Sequence, residues 1–229
     1  MSLRLAVPSK GRLMEQTFDW FGARGVAMGR AGAEREYAGA VDGAPVELVL
    51  LSAGEIPREL SAGRVHLGVT GSDMVRERLA AWDERVEPLA GLGFGRADLV
   101  VAVPRFWVDV DTLDDLDAVA AAHRRRHGER LRIATKYHRL VRDFLRAAGV
   151  ADYRLVDSQG ATEGTVAAGT AEAIADITTT GETLRANHLK VLSDGLIHQS
   201  EATLFRSRTA PWDEVAQASL RELRGGLEV

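Results

Sequence analysis

The chain has 229 residues, a formal net charge of −4, a pI of about 5.9 and no cysteine. This length allows one large domain or two small ones, and 45% apolar with 27% charged residues is ordinary for a globular protein with a core. The acidic balance argues against a general nucleic-acid binder, and the missing cysteine excludes disulfides, thiol catalysis and cysteine metal sites.

The N-terminal residues MSLRLAVPSKGRL run directly into a strand pattern, without the long apolar segment of a signal peptide. The longest apolar runs, such as residues 46–51, are too short to span a bilayer. We therefore expect a cytoplasmic protein without a membrane segment.

Short apolar runs alternate with helical patterns along the chain. The predicted strands cover residues 3–7, 46–51, 65–70, 98–103, 131–134, 153–156, 171–177, 189–192 and 203–205. The predicted helices cover residues 12–23, 56–62, 73–81, 113–123, 137–148, 181–187 and 213–223. This alternation predicts βαβ units, a mostly parallel sheet and an α/β fold.

Two segments have the character of domain boundaries. Glycines in GLGFGRADLV (91–100) make the backbone flexible just before a second series of βα units begins. By the same reasoning, we expect the chain to return to the first domain near Asn187. We predict a discontinuous lobe I of residues 1–92 and 189–229 and a lobe II of residues 93–188. A cleft between such lobes is the default place for a ligand.

The segment ADITTTGETLRAN (175–187) sets a run of hydroxyls between a predicted strand and a predicted helix. Ligands of open α/β sheets bind at the carboxyl ends of strands, and the free N–H groups of a helix start attract anions. Hydroxyls donate to phosphate oxygens, and glycine lets backbone amides approach a ligand. The predicted phosphate loop consists of Thr178, Thr179, Thr180, Gly181, Glu182 and Thr183.

Asp176 ends the strand before this loop, where it can accept from ribose hydroxyls or approach a phosphate-bound magnesium ion. The alternative is a threonine helix cap without a ligand. One cap needs only one threonine, so the phosphate interpretation is favoured.

Three further turns carry polar residues that a ligand can use. The basic side chains of VPSKGRL (7–13) suit a triphosphate, or they belong to a basic βα turn in which the glycine serves only the geometry. The aspartate of TGSD (70–73) can cap a helix or face the cleft, and the glutamate of GATEG (160–164) can bind a nucleotide or cap a helix. The candidates for ATP binding or for the cleft are Lys10, Gly11, Arg12, Gly71, Asp73 and Glu163. We assign no metal site to the histidines.

The order of these motifs resembles the ATP phosphoribosyltransferase family. The matching stretches are LAVPSKGRL, EIPRELSAGRVHLGVTGSDMVRE, DLVVAVP, RIATKYHRLVRDFL, GATEGTVAAGTAEAIADITTTGETLRANHL and ATLF. They extend from residue 5 to about residue 205. The loop is also similar to the phosphoribosyl-pyrophosphate loop of other phosphoribosyltransferases, but Ala175 stands where the purine-salvage form has a second acid.

The resemblance implies an α/β, two-lobed periplasmic-binding-protein-like (type II) fold and the first enzyme of histidine biosynthesis. Such an enzyme joins C1′ of phosphoribosyl pyrophosphate to N1 of ATP and releases pyrophosphate. The 5′-phosphate would bind residues 178–183 and the ribose Asp176, while Lys10, Arg12 and magnesium carried by the substrates neutralise the polyphosphates. No strong general base is required, which fits a sequence without a conspicuous His–Asp pair.

The segment after Phe205 is short and has the pattern of one amphipathic helix. We therefore expect the short form of the family, in which the catalytic subunit works with a regulatory subunit resembling histidyl-tRNA synthetase. A homodimer within a hetero-oligomer is expected, with neither nucleic acid nor membrane as a partner.

Two other functions compete with this interpretation. A nucleobase-salvage phosphoribosyltransferase would need the second acid that the loop lacks. A non-enzymatic two-lobed binding or sensor domain would have similar α/β architecture, but the sequence shows neither an export signal nor a DNA-binding segment.

Overall fold

A computed structural model of the chain describes residues 2–30, 38–41 and 46–227, and it divides into two α/β units. Unit 1 comprises Met1–Gly95 and Glu201–Val229, and unit 2 comprises Arg96–Ser200. The α/β class predicted from the sequence is confirmed. Among the described residues, no helix is both long enough and apolar enough to cross a membrane.

The elements are numbered in chain order. The strands are β1 (Leu3–Pro8), β2 (Met28–Arg30), β3 (Ala38–Val41), β4 (Val46–Leu51), β5 (Leu67–Gly71), β6 (Val86–Gly91), β7 (Ala97–Pro104), β8 (Leu131–Thr135), β9 (Tyr153–Asp157), β10 (Ala173–Thr178), β11 (Leu189–Ser200) and β12 (Ala202–Ser207). The helices are α1 (Gly11–Gly22), α2 (Ile56–Ser61), α3 (Ser72–Arg78), α4 (Trp82–Arg85), α5 (Leu113–His127), α6 (His138–Ala147), α7 (Gly164–Ala167), α8 (Glu182–Ala186) and α9 (Glu214–Leu227).

Each unit contains one mixed sheet. The strand order is β2-β3-β4-β1-β5-β12-β6 in unit 1 and β11-β7-β10-β8-β9 in unit 2. In unit 1, β1 runs parallel to β4 and β5; in unit 2, β8 runs parallel to β9 and β10. The other pairings are antiparallel. The expectation of a mostly parallel sheet was therefore wrong. β7, β11 and β12, next to the crossings between units, run against their neighbours, and so does β3 near one edge of the unit 1 sheet.

The chain returns to unit 1 later than the sequence pattern predicts. The prediction places residues 189–229 in the first lobe, but β11 pairs antiparallel with β7 from Leu189 to Ser200. These hydrogen bonds keep the whole strand in unit 2. The first crossing, between Gly95 and Arg96, lies inside the glycine-rich segment 91–100.

The predicted C-terminal helix covers the core of its own unit. Ala216, Leu220 and Leu223 of α9 are buried in the cluster built on β1, β4 and β5, whereas Val215 on the same helix is 51% exposed. The apolar face of α9 packs within its own unit and stabilises that unit, because the packing removes apolar surface from water.

Candidate active site

A cavity of about 300 Å³ in unit 2 lies at the end of β10. Because β8 and β10 are parallel neighbours, the segments that follow these strands emerge at the same edge of the sheet. The cavity is lined by Ala97, Glu163, Asp176, Ile177, Thr178, Thr179, Thr180, Glu182, Thr183 and Leu184. The structure thus gathers Asp176, all four threonines of the predicted loop and Glu163 around one space.

The loop after β10 is held by its own hydroxyl groups. Thr178 Oγ1 accepts a hydrogen bond from the Gly181 N–H at 2.9 Å, and Thr180 Oγ1 accepts one from the Glu182 N–H at 3.3 Å. Gly181 has φ +72, a left-handed conformation that favours glycine. Each accepting hydroxyl keeps its own proton, so it can still donate to an anion.

A single acid stands near the end of β10, directly after a buried alanine. Ala175 is fully buried, whereas the Asp176 side chain retains 14% exposure and lines the cavity. Because Ala175 has no exposed surface, a carboxylate in its place would be buried. Asp176 Oδ1 accepts from the Ile177 N–H at 2.8 Å and lies 3.5 Å from Lys136 Nζ.

Glu163 belongs to the same cavity as the phosphate loop rather than to the turns of unit 1. It precedes α7, and the segment before it is fixed by Ser158, whose hydroxyl donates to the hydroxyl of the buried Thr162 at 3.1 Å. Ala161 has φ +47, an unusual conformation for a residue with a side chain. Such strained backbone clusters at ligand sites in proteins.

The remaining sequence candidates lie together at one edge of the unit 1 sheet. β1 and β5 are parallel, so the turn with Lys10 and Arg12 and the turn with Asp73 follow the same ends of neighbouring strands. Lys10 and Arg12 are exposed, and neither side chain has a partner within the described ranges. Gly11 has φ +74, whereas Gly71, at φ −66, does not need the freedom of glycine. Asp73 is 7% exposed in the first turn of α3.

Sequence reasoning missed Lys136 and a His–Asp pair, all placed by β8 and β9. His138 Nε2 lies 3.2 Å from Asp157 Oδ1, which also accepts from Gln159 at 2.8 Å. Hydrogen bonds from His138 and Gln159 lower the pKa of Asp157 below its ordinary value. The pair is not conspicuous in the sequence, because the parallel pairing of β8 and β9 brings together residues that lie apart along the chain.

The histidines also contain one pair at metal-binding spacing that the sequence analysis overlooked. His123 and His127 lie one turn apart on α5, with ring centroids 4.6 Å apart. Zinc sites in proteins use three or four such ligands. Within the described residues, no group of three or more histidine, cysteine, aspartate or glutamate side chains is arranged to hold a metal ion.

Comparison with known proteins decides the family. The family model described as HisG, ATP phosphoribosyltransferase, matches residues 52–227. The ATP phosphoribosyltransferase of Cereibacter sphaeroides is 75% identical over 217 residues, which are 94% of this chain and 92% of the relative. The chain belongs to the ATP phosphoribosyltransferase family. The enzyme of the same name from Mesorhizobium japonicum is 56% identical over 91% of this chain and 90% of its own length.

The solved structures that share this fold include proteins outside the ATP phosphoribosyltransferase family. The ATP phosphoribosyl transferase (HisG:HisZ) complex from Thermotoga maritima contains a chain with TM-score 0.72 and 23% identity, covering 99% of this chain and 98% of that one. A histidine kinase sensor domain similar to periplasmic binding proteins gives TM-score 0.52 at 14% identity, over 99% of this chain and 89% of its own. These likenesses confirm the periplasmic-binding-protein-like fold class.

Proposed function

We propose that the chain binds phosphoribosyl pyrophosphate in the unit 2 cavity and transfers its phosphoribosyl group to N1 of ATP. ATP phosphoribosyltransferase, which carries out the first step of histidine biosynthesis, is the activity of the family to which the chain belongs. The single observation that carries the cavity assignment is the hydroxyl-rich loop beside Asp176 at the end of a central strand.

The loop suits the 5′-phosphate of the sugar. The hydroxyls of Thr178, Thr180 and Thr183 line a space in which each can donate to phosphate oxygens, whereas the Thr179 hydroxyl donates to Arg96 O at 3.4 Å. Gly181 supplies the left-handed φ of +72 that the turn requires. α8 has only five residues, so its dipole adds little and the loop groups carry the interaction. With the phosphate there, the adjoining Asp176 accepts hydrogen bonds from the ribose hydroxyls.

The basic turn of unit 1 suits the polyphosphate of ATP. Lys10 and Arg12 present their charges to solvent without an internal partner in the described structure, so each is available to a ligand. A guanidinium binds a phosphate through two parallel hydrogen bonds, which a lysine ammonium does not. We assign Arg12 the more directional contact and Lys10 the weaker one.

Magnesium fits this arrangement as a companion of the substrates. The cavity offers the carboxylates of Glu163, Asp176 and Glu182, whose oxygens are the ligands that magnesium prefers. They do not form a ready-made cluster in the described part of the chain. Magnesium usually binds one or two carboxylates together with substrate phosphates, and there it neutralises their charge.

The reaction depends mainly on the positions of the two substrates relative to each other. The N1 lone pair of adenine forms the new bond to C1′, and the electrons of the bond between C1′ and oxygen leave with pyrophosphate. Positive charge develops on the sugar ring during bond breaking, so carboxylates beside the ribose stabilise it. The loop holds the 5′-phosphate end fixed, which aligns C1′ for attack.

A non-enzymatic binding or sensor domain is not favoured. Its support is a shared fold at 14% identity with a sensor domain, whereas the named enzyme relative is 75% identical over most of both chains. Fold alone does not assign function. The salvage alternative lacks support because Ala175 is buried.

We further propose that the chain acts as the short form with a regulatory subunit resembling histidyl-tRNA synthetase. The Cereibacter relative has nearly the same length, since 92% of it is covered, whereas a Bradyrhizobium diazoefficiens relative at 53% identity is covered over 67%. The Thermotoga chain, covered over 98%, comes from a HisG:HisZ complex. These coverages support a short catalytic subunit with a separate partner.

The test is an assay of the purified chain with ATP, phosphoribosyl pyrophosphate and magnesium, with and without the partner. The chromophore of N1-substituted adenine should appear only when both substrates are present. Histidine should inhibit strongly only when the partner is added, because allostery requires a second site. Absence of the chromophore even with the partner would contradict the proposed activity.

A further inference from the structure

Lys136 occupies a fixed position beside the cavity, between two buried anchors. Thr135 is fully buried and accepts from the Tyr137 N–H at 2.9 Å, and Tyr137 is 1% exposed. This local turn directs the lysine between them toward the neighbouring strand end. Its Nζ lies 3.5 Å from Asp176 Oδ1 and 5.3 Å from the centroid of the Tyr137 ring.

Lys136 is a positive charge beside a cavity that is lined by acidic side chains. The described residues that line the cavity include the acids Glu163, Asp176 and Glu182 but no lysine, arginine or histidine. A substrate with a phosphate and a pyrophosphate is strongly anionic, so it meets like charge at these carboxylates. Lys136 is the cation that contacts one of them, and with 33% exposure of its side chain it is only partly screened by water.

The contact also determines which oxygen of Asp176 is available. Oδ1 accepts a hydrogen bond from the Ile177 N–H at 2.8 Å and forms an ion pair with the lysine ammonium at 3.5 Å. Within the described part of the chain, no hydrogen bond reaches Oδ2. A carboxylate held through one oxygen presents the other in a fixed direction, which suits the hydroxyls of a sugar.

We propose that Lys136 is a positioning residue: it fixes the Asp176 carboxylate so that Oδ2 accepts from the ribose hydroxyls of phosphoribosyl pyrophosphate. Its charge also offsets the repulsion between this carboxylate and the incoming polyphosphate. The proposal rests on the assignment of that substrate to the unit 2 cavity. The alternative, a direct contact between Lys136 and a phosphate, is distinguished by the experiment.

The first arm compares Lys136→Met and Lys136→Arg with the control Lys190→Met. Lys190 Nζ also pairs with an aspartate of unit 2, Asp111 at 2.7 Å, but neither residue lines the cavity. We expect Lys136→Met to raise KM for phosphoribosyl pyrophosphate about tenfold and to leave KM for ATP and Tm unchanged. A tenfold change corresponds to the loss of one hydrogen bond to a charged group, here the bond between ribose and the Asp176 carboxylate. Lys136→Arg should recover part of the loss, and Lys190→Met should match the wild type.

The second arm uses ribose 5-phosphate and 2-deoxyribose 5-phosphate as competitive inhibitors. The wild type should prefer the ribose compound, because Asp176 accepts from the hydroxyl that the deoxy compound lacks, and Lys136→Met should lose this preference. A wild type without the preference would overturn the assignment of ribose to Asp176, and the Lys136 proposal with it. A preference that survives intact in Lys136→Met would overturn the Lys136 proposal alone.

The third arm is a double-mutant cycle between Lys136→Met and Asp176→Asn. If the lysine acts through the aspartate, the double variant should bind phosphoribosyl pyrophosphate no more weakly than Asp176→Asn by itself. Multiplied losses would mean that Lys136 contacts the substrate independently, which would overturn the positioning role.

Discussion

The phosphate loop of unit 2 and the basic turn of unit 1 represent two ways of preparing a site for an anion. In the loop, Thr178 and Thr180 hold the backbone through hydrogen bonds before any ligand arrives. In the turn, Lys10 and Arg12 extend into solvent without partners in the described structure. The loop has already lost conformational freedom on folding, whereas the two long side chains lose theirs only on binding. We therefore expect substitutions in the loop to cost more affinity than substitutions in the turn.

The largest effect should come from Asp176→Asn. The amide keeps the shape but loses the charge and one acceptor toward ribose, so kcat/KM for phosphoribosyl pyrophosphate should fall about 10- to 100-fold, the range for a hydrogen bond to a charged group. Steady-state kinetics with each substrate varied in turn measures this. Asp111→Asn, an exposed carboxylate paired with Lys190, is the matched control. Equal losses in both variants would contradict the special place of Asp176.

A smaller loss is expected for Thr180→Val, which removes the hydroxyl at nearly constant volume. Affinity for phosphoribosyl pyrophosphate should fall about fivefold to tenfold, less than the full value of a charged hydrogen bond because the exposed loop lets water compete. Calorimetry on the folded variant measures it. Thr170→Val removes a hydroxyl that is bonded to Thr165 O, elsewhere in unit 2, and should leave affinity unchanged. Wild-type affinity in Thr180→Val would remove its hydroxyl from the phosphate site.

Arg12→Ala should affect ATP rather than the sugar substrate. We expect KM for ATP to rise about twofold to fivefold, because exposed ion pairs contribute little in water. Arg24→Ala is the control, since Arg24 lies just beyond the C-terminal end of α1, stacked on Trp20. A larger rise in KM for phosphoribosyl pyrophosphate than for ATP would reverse the two assignments.

The smallest expected effect is a difference between the two units in how their stability depends on pH. Burial lowers the pKa of His66 despite its hydrogen bond to Pro211 and the nearby charge of Asp213, so the unfolded chain binds more protons below about pH 6.5 and stability falls as pH decreases there. In unit 2, burial of Glu172 opposes the hydrogen bonds from Arg132, but the bonds prevail and lower its pKa. That contribution is present above the unfolded value of about 4.5 and is lost only as pH falls below it.

Thermal unfolding between pH 8 and pH 5 should therefore show a decrease in Tm that His66→Gln flattens. The glutamine amide can donate to Pro211 O and accept from the Arg4 N–H without titrating. His127→Gln, on the exposed end of α5, should retain the wild-type profile. An identical pH dependence in His66→Gln and the wild type would exclude His66 as the source.

Local patterns in the sequence predicted most strands because apolar side chains recur with a strand's period. β6 was not predicted, because it contains Pro88 and a proline in a sequence pattern indicates the end of a strand. β6 lies at the edge of its sheet, where a proline is tolerated. β11 was predicted only to residue 192, because Ser-Asp-Gly follows. The strand continues through a register shift, and a Cβ at Gly195 would lie 3.0 Å from Val101 O, so glycine permits the close approach.

The candidate site was predictable where one segment contained its chemistry. The loop after Asp176 is contiguous, so its threonines could be recognised together. Lys136 and the His138–Asp157 pair depend on the neighbours of β8, and no local pattern states the order of strands in a sheet. Glu163 was identified as a candidate, but its place beside Asp176 required the fold.

Amide hydrogen exchange, measured with magnesium and either substrate alone, tests the central claim most directly. Peptides covering residues 176–187 should become protected with phosphoribosyl pyrophosphate, because the loop N–H groups and hydroxyls then bind phosphate. The same peptides should change little with ATP, whereas peptides covering residues 10–17 should respond to ATP. Unchanged exchange in residues 176–187 at saturating phosphoribosyl pyrophosphate would contradict the assignment of the substrate to this loop.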